Sequence, residues 1–195
     1  NNGFVFKIIG DAYCCAFEYL KDAVKAAVEA QTDLTNEKWD DAVVKVRMGI
    51  HSGNAEWKGN DYMGYITLAR VARVMSAAYG EQILISGHTH SLCLEDSKTL
   101  SENKPSENKP SENKISEDKI SEKKGSEEKI NKEKNDMNSS SLRDLEAKEI
   151  SFRDLGERRL KDVIQPIRLY QIVSKGLRED FPPLKTLDAR PNNLP

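Results

Sequence analysis

Apolar and polar positions divide the chain into short segments with two different periods. Residues 4–9 and 12–17 are runs rich in aromatic and β-branched side chains, separated by Gly10 and Asp11. They predict a β-hairpin. Residues 20–33 follow a helical period, with Leu20, Val24, Ala27 and Val28 on one side and Lys21, Lys25 and Glu29 on the other. A polar connection over residues 36–41 leads to residues 43–50, which alternate at their centre and predict a strand. Gly49, Gly53, Gly59 and Gly64 punctuate the next region, with a short strand expected near residues 55–57. A second helix is expected over residues 66–78, its buried stripe formed by Leu68, Val71, Ala72, Met75 and Ala78. Residues 82–86 predict another strand and residues 89–94 a helical turn.

The pattern then stops. Ser-Glu-Asn-Lys-Pro repeats from about residue 101 and decays through Ser-Glu-Asp-Lys-Ile and Ser-Glu-Lys-Lys-Gly, a period of five that fits neither helix nor strand. No Phe, Trp or Tyr occurs between Tyr79 and Phe152. Such a segment buries too little apolar surface to offset its ordering entropy, so residues 96–149 are expected to be a disordered, low-complexity insert. Its simplest role is that of a spacer; a Ser-rich tract for binding or modification is the alternative. Order is expected again with two strands, around Phe152 and over residues 167–173, joined by a basic turn with Arg158, Arg159 and Lys161. The Pro-rich, non-periodic end, residues 176–195, reads as a linker. The domain is therefore expected in two parts, residues 1–95 and 150–175. Its order of strands and helices predicts an α+β fold, with helices packed on a mostly antiparallel sheet.

Composition narrows the function. With 195 residues and a formal charge of -2, the chain has no basic footprint, and nucleic acid is not expected as a partner. Three cysteines, two of them adjacent, make neither a disulfide framework nor a spaced metal cluster, which fits a reducing cytoplasm. No apolar run approaches the roughly 20 residues of a membrane span. The chain opens almost inside a strand and without Met, which suggests a piece of a longer protein. Gly10-Asp11 has two readings: a plain turn in which Asp bonds its own backbone, or a carboxylate at a hairpin tip holding a divalent metal over a phosphate. His88-Thr89-His90 lacks further ligands in view for a metal role.

Five segments in series carry a resemblance. Lys7-Ile8-Ile9-Gly10-Asp11-Ala12 resembles the second metal-binding segment of class III nucleotidyl cyclases. Val46-Arg47-Met48-Gly49-Ile50-His51-Ser52-Gly53 is similar to their central strand and turn. Asp61-Tyr62-Met63-Gly64, through to Ala72-Arg73-Val74-Met75-Ser76-Ala77-Ala78, resembles the entry to their catalytic helix. Gln82-Ile83-Leu84-Ile85-Ser86 and Phe152-Arg153-Asp154-Leu155-Gly156-Glu157-Arg158-Arg159-Leu160-Lys161 resemble the closing strands. The segment from Phe181-Pro182-Pro183-Leu184-Lys185 onward is similar to the linker that joins some bacterial cyclase domains to a P-loop ATPase module.

The resemblance implies a ferredoxin-like cyclase fold and a reaction, ATP to cyclic AMP and pyrophosphate, with two Mg²⁺ (or Mn²⁺). It implies metal binding by Asp11, adenine recognition by Lys7 and Asp61, and charge stabilisation on the phosphates by Arg73. It further implies triphosphate binding by Lys161. Arg47 is more plausibly structural. The active site would lie between two domains packed head to tail, so that Lys7 and Asp11 of one chain serve different sites. Two departures stand out. Where the family has a ribose-orienting Asn one helical turn before the arginine, this chain has Ala69, which carries no hydrogen-bonding group. Thr67 could substitute from a shifted position. The family's first metal aspartate, on a strand preceding the hairpin, has no counterpart here, so the chain by itself is expected to have little or no activity. A degenerate domain that binds nucleotide or only dimerises is the alternative. A ferredoxin-like RNA-binding module fits the acidic balance poorly, and no Gly-Gly-Asp/Glu-Glu-Phe turn of diguanylate cyclases is present.

Overall fold

The structure is a computed structural model that describes residues 2–59, 61–102 and 150–189. Its central element is β6 (Ile83–Ser86), whose residues are all buried. An apolar run without alternation is what a strand covered on both faces needs. β6 pairs in parallel with β3 (Met48–Ile50) and antiparallel with β8 (Ile167–Val173), which pairs antiparallel with β7 (Ser151–Arg158). The four-stranded sheet thus runs β3-β6-β8-β7.

Helices cover both faces. Ile83 and Ile85 point toward α1 (Leu20–Asn36), where Val24 and Val28 meet them together with Ile172 and Leu177. Leu84 points the other way, into a cluster with Val74, Ala77, Ala78, Leu160, Leu169 and Leu184. The first three of these belong to α2 (Tyr65–Ala77) and its end. The approach of β3 to α2 requires Gly49: a Cβ there would lie 2.6 Å from the backbone nitrogen of Met75. α3 (Gly87–Glu102) packs against α1, β6 and β8.

Two hairpins stand apart from this sheet. β1 (Gly3–Ile9) pairs with β2 (Ala12–Phe17), with a bulge between Val5 and Lys7. The connection is a two-residue turn with φ +62° at Gly10 and no positive φ at Asp11, the pattern of a type II′ turn, which wants glycine first. β4 (Glu56–Lys58) pairs with β5 (Asp61–Met63). α1 touches β1, β2 and β3, yet among the described residues β2 and β3 are not hydrogen-bonded to each other.

The expected hairpin, the first helix and the last strand are present, and residues 167–173 form the strand at the expected bounds. Several expectations need correction. The strand expected over residues 43–50 is confined to Met48–Ile50; Val43 and Val44 are exposed, so their apolar character finds no sheet to join. The stripe of α2 is shifted in part: Ala78 is buried and Leu68, Val71 and Met75 are half-buried as expected, but Ala72 is exposed, and Val74 and Ala77 are the buried residues within the helix. The helical turn after β6 is a sixteen-residue helix. Among the described residues the strands form three sheets rather than one, and their pairings are antiparallel except that of β3 with β6. Of the expected insert, residues 96–102 are helical instead, the end of α3, and residues 103–149 lie outside the described residues.

The segment from residue 176, read as a linker, is folded onto the domain as far as residue 189. Leu177, Leu184 and Thr186 are buried. Lys185 donates its backbone N–H to Ala77 O, and Leu187 donates to Arg159 O. The Tyr79 hydroxyl donates to Pro183 O, and Arg159 pairs with Asp188. The strap bridges the end of α2 and the turn between β7 and β8. No helix among the described residues is long and apolar enough to cross a membrane.

Candidate functional site

The candidate residues fall in two parts of the fold. The first lies between α2 and the β7–β8 turn. Arg73, on α2, donates from Nη2 to Oδ2 of Asp162 and forms an ion pair with it across 89 positions of sequence. Lys161, beside Asp162, is exposed. The helix and the basic turn, separated by the insert in sequence, thus place Arg73 against Asp162, the residue that follows Lys161. The turn is fixed independently by buried Leu160, by the Val163 N–H donating to Leu160 O, and by the Arg159–Asp188 pair.

The second group lies on the hairpins. Lys7 sits on β1 just past the bulge, opposite Cys14, and β1 lies against β5, which opens at Asp61. Asp11 is exposed at the hairpin tip. No group of three or more His, Cys, Asp or Glu side chains suited to a metal ion occurs among the described residues. Asp11 belongs to no such group among the described residues.

The replacement considered for the missing Asn is constrained. Thr67 donates its hydroxyl proton to Asn54 O at 2.9 Å, and it closes over Gly53, where a Cβ would lie 2.6 Å from the Thr67 oxygen. Its single donor is committed to the backbone. Ala69 is exposed.

A third cluster had no expectation attached to it. His51, at the end of β3, places Nδ1 2.7 Å from Oγ of Ser86, which lies 2.8 Å from Oγ1 of Thr89. Thr89 accepts the Ser52 N–H at 2.7 Å. Ser86 and Thr89 are fully buried, and the chain of bonds ties the loop after β3 to the start of α3. The His51 pKa is pushed down to about 4, first by burial, then by the positive Arg70 and by His88. His90 stacks on Tyr170 at 3.8 Å and meets the Phe152 ring edge-on at 5.0 Å. In His88-Thr89-His90, then, Thr89 is a buried hydrogen-bonding partner and His90 packs as an aromatic ring.

Comparison with solved structures identifies the fold. An adenylate/guanylate cyclase/hydrolase from Silicibacter pomeroyi superposes with a TM-score of 0.53 at 19% identity, over 88% of this chain and 72% of the other. Two structures of adenylate cyclases from Trypanosoma brucei in their monomeric state reach 0.57 and 0.58, each at 19% identity. They span 94% and 93% of this chain, and 76% and 74% of theirs. The chain has an α+β fold like that of the adenylate/guanylate cyclases. No protein-family model matches the sequence. Among curated proteins, the uncharacterized mycobacterial proteins Rv0891c of Mycobacterium tuberculosis and Mb0915c of Mycobacterium bovis are each 23% identical over 186 residues. That stretch is 95% of this chain and 45% of either relative, so the chain spans about half their length.

Proposed function

We propose that this chain is part of an adenylate cyclase that converts ATP to cyclic AMP and pyrophosphate. The observation that carries the reading is the meeting of Arg73 and the Lys161 turn in a fold like that of the cyclases. A triphosphate needs two or more cations held at fixed positions, and arginine can grip phosphate oxygens through two N–H groups at once. In this reading Arg73 takes up charge on the phosphates and Lys161 binds the triphosphate. Lys7 and Asp61 recognise the adenine, through a donor and an acceptor that answer its ring nitrogen and amino group. Two Mg²⁺ (or Mn²⁺) belong to the reading, with Asp11 as the one ligand this chain contributes.

The partner in this reading is a second copy packed head to tail, with Lys7 and Asp11 of one chain working in different sites. Among the described residues no strand pairs with the outer edges of β2 and β3, both against α1, which leaves room in this reading for a further strand between them, the place for the second metal carboxylate. A cytoplasmic location and a P-loop ATPase module beyond residue 195 complete the proposal.

A second reading, a degenerate domain that binds nucleotide or dimerises, is favoured by Ala69 and by the commitment of Thr67 to Asn54. One experiment separates them: assay full-length protein with ATP and GTP in Mg²⁺ and Mn²⁺, alone and as a mixture of Asp11→Ala and Lys7→Ala proteins. The cyclase reading expects cyclic AMP from wild type, near none from either variant, and recovery in the mixture at one of two sites. Wild-type protein that binds ATP but forms no cyclic nucleotide supports the degenerate reading. Absence of recovery in confirmed mixed dimers counts against the shared site.

A further inference from the structure

We propose that Asp162 competes with the phosphates of the nucleotide for Arg73 and thereby sets how tightly the site holds its substrate. The inference rests on the cyclase reading of Arg73 and Lys161 and adds a residue to it.

Asp162 follows Lys161 directly, and its carboxylate holds the Arg73 guanidinium. The side chains are 36% and 59% exposed, for Arg73 and Asp162 respectively. Ion pairs this open to water are weak and exchange readily. The turn does not depend on the pair, since Leu160, Val163 and the Arg159–Asp188 contact already fix it. Asp162 also adopts φ +58°, a left-handed conformation uncommon outside glycine, though Asp tolerates it better than most residues.

Charge decides the direction of the effect. Arg73 and Lys161 together offer two positive charges, and Asp162 cancels one. An arriving triphosphate carries several negative charges and can engage the guanidinium through two parallel bonds, so it outcompetes one carboxylate. The displaced Asp162 turns to water at little cost, being already more than half exposed. It nevertheless remains near the bound phosphates and repels them. Removing its charge should therefore strengthen triphosphate binding and leave uncharged adenosine unaffected.

The test uses full-length protein and calorimetric titration with a non-cyclisable ATP analogue and with adenosine. Asp162→Asn removes the charge. Asp162→Gly removes it as well and suits the left-handed backbone, which guards against a folding defect in the first variant. Both should tighten analogue binding about three- to tenfold, with adenosine unchanged. The gain should shrink in an Arg73→Ala background, where only the direct repulsion remains, and the KM for ATP should fall. Analogue binding that is unchanged or weaker in both folded variants overturns the proposal; if Arg73→Ala still weakens binding, the cyclase reading survives. If Arg73→Ala has no effect, or wild type does not bind the analogue, the reading falls and the proposal with it.

Discussion

Strand β6 and strand β1 are built from similar residues and end in opposite surroundings. Ile83, Leu84 and Ile85 are at most 1% exposed, whereas Ile8 and Ile9 are each 59% exposed and Tyr13, across the hairpin, is 70% exposed. The difference lies in the neighbours. β6 has a strand on each side and a helix on each face, so every residue it presents is met. The hairpin has α1 beneath it and no strand of the four-stranded sheet beside it. A lone two-stranded hairpin is marginal in water, and a contiguous exposed apolar surface is the usual mark of a contact still to be made.

The largest expected effect tests the buried side of this comparison. Leu84→Ala removes a fully buried side chain from the cluster that joins α2, the sheet and the strap. It should cost about 2–5 kcal/mol of unfolding free energy, read from denaturant titration. A cost below about 1 kcal/mol would mean that this core is far looser than its burial indicates.

An intermediate effect concerns pH. The pKa of His51 is about 4 in the folded chain and 6.5 in the unsheltered state. The unfolded chain therefore binds more protons between those values. The stability contributed by the neutral ring is fully present above pH 6.5 and is lost as pH falls toward 4. Compared with His51→Gln, wild type should lose more thermal stability between pH 7 and pH 5. Parallel curves would remove His51 as the cause.

The smallest effect belongs to the hairpin. Ile8→Ala should change the stability of the chain by no more than about 0.5 kcal/mol, because the side chain is mostly in water. In the full-length protein the same change should weaken self-association, measured by sedimentation. A cost in the present chain like that of Leu84→Ala would show the two strands to be equally integrated after all.

The contrast also marks how far the sequence could be read. Helix α1 and strand β8 were legible because their periods are local and agree with what covers them. Val43 and Val44 look like strand residues, and only the absence of a paired neighbour keeps them out of the sheet. The partial shift of the α2 stripe depends on where Gly49 lets the helix approach. The strap was hidden by its prolines, since a segment can pack through Leu177 and Leu184 without any period. Among the candidate site residues, Arg73 and Lys161 were singled out by their motifs. Asp162 was not, because its significance depends on a contact across 89 positions and an insert. The Ser52–Thr89–Ser86–His51 chain joins three segments and leaves no local signature, although a buried polar pair after an apolar strand is a signal that could have prompted the search.

The strap has a mechanical consequence. It is fastened at Ala77 beyond Arg73, and at Arg159 two residues before Lys161. Tension applied beyond residue 189 would first load the Arg159–Asp188 fastening and the Leu187 hydrogen bond, then the Lys185 and Leu184 anchors, before reaching β8. A pull from the C-terminal side would thus reach the mountings of Arg73 and Lys161 ahead of the sheet. A force of this kind could alter their spacing while the central strands stay in register.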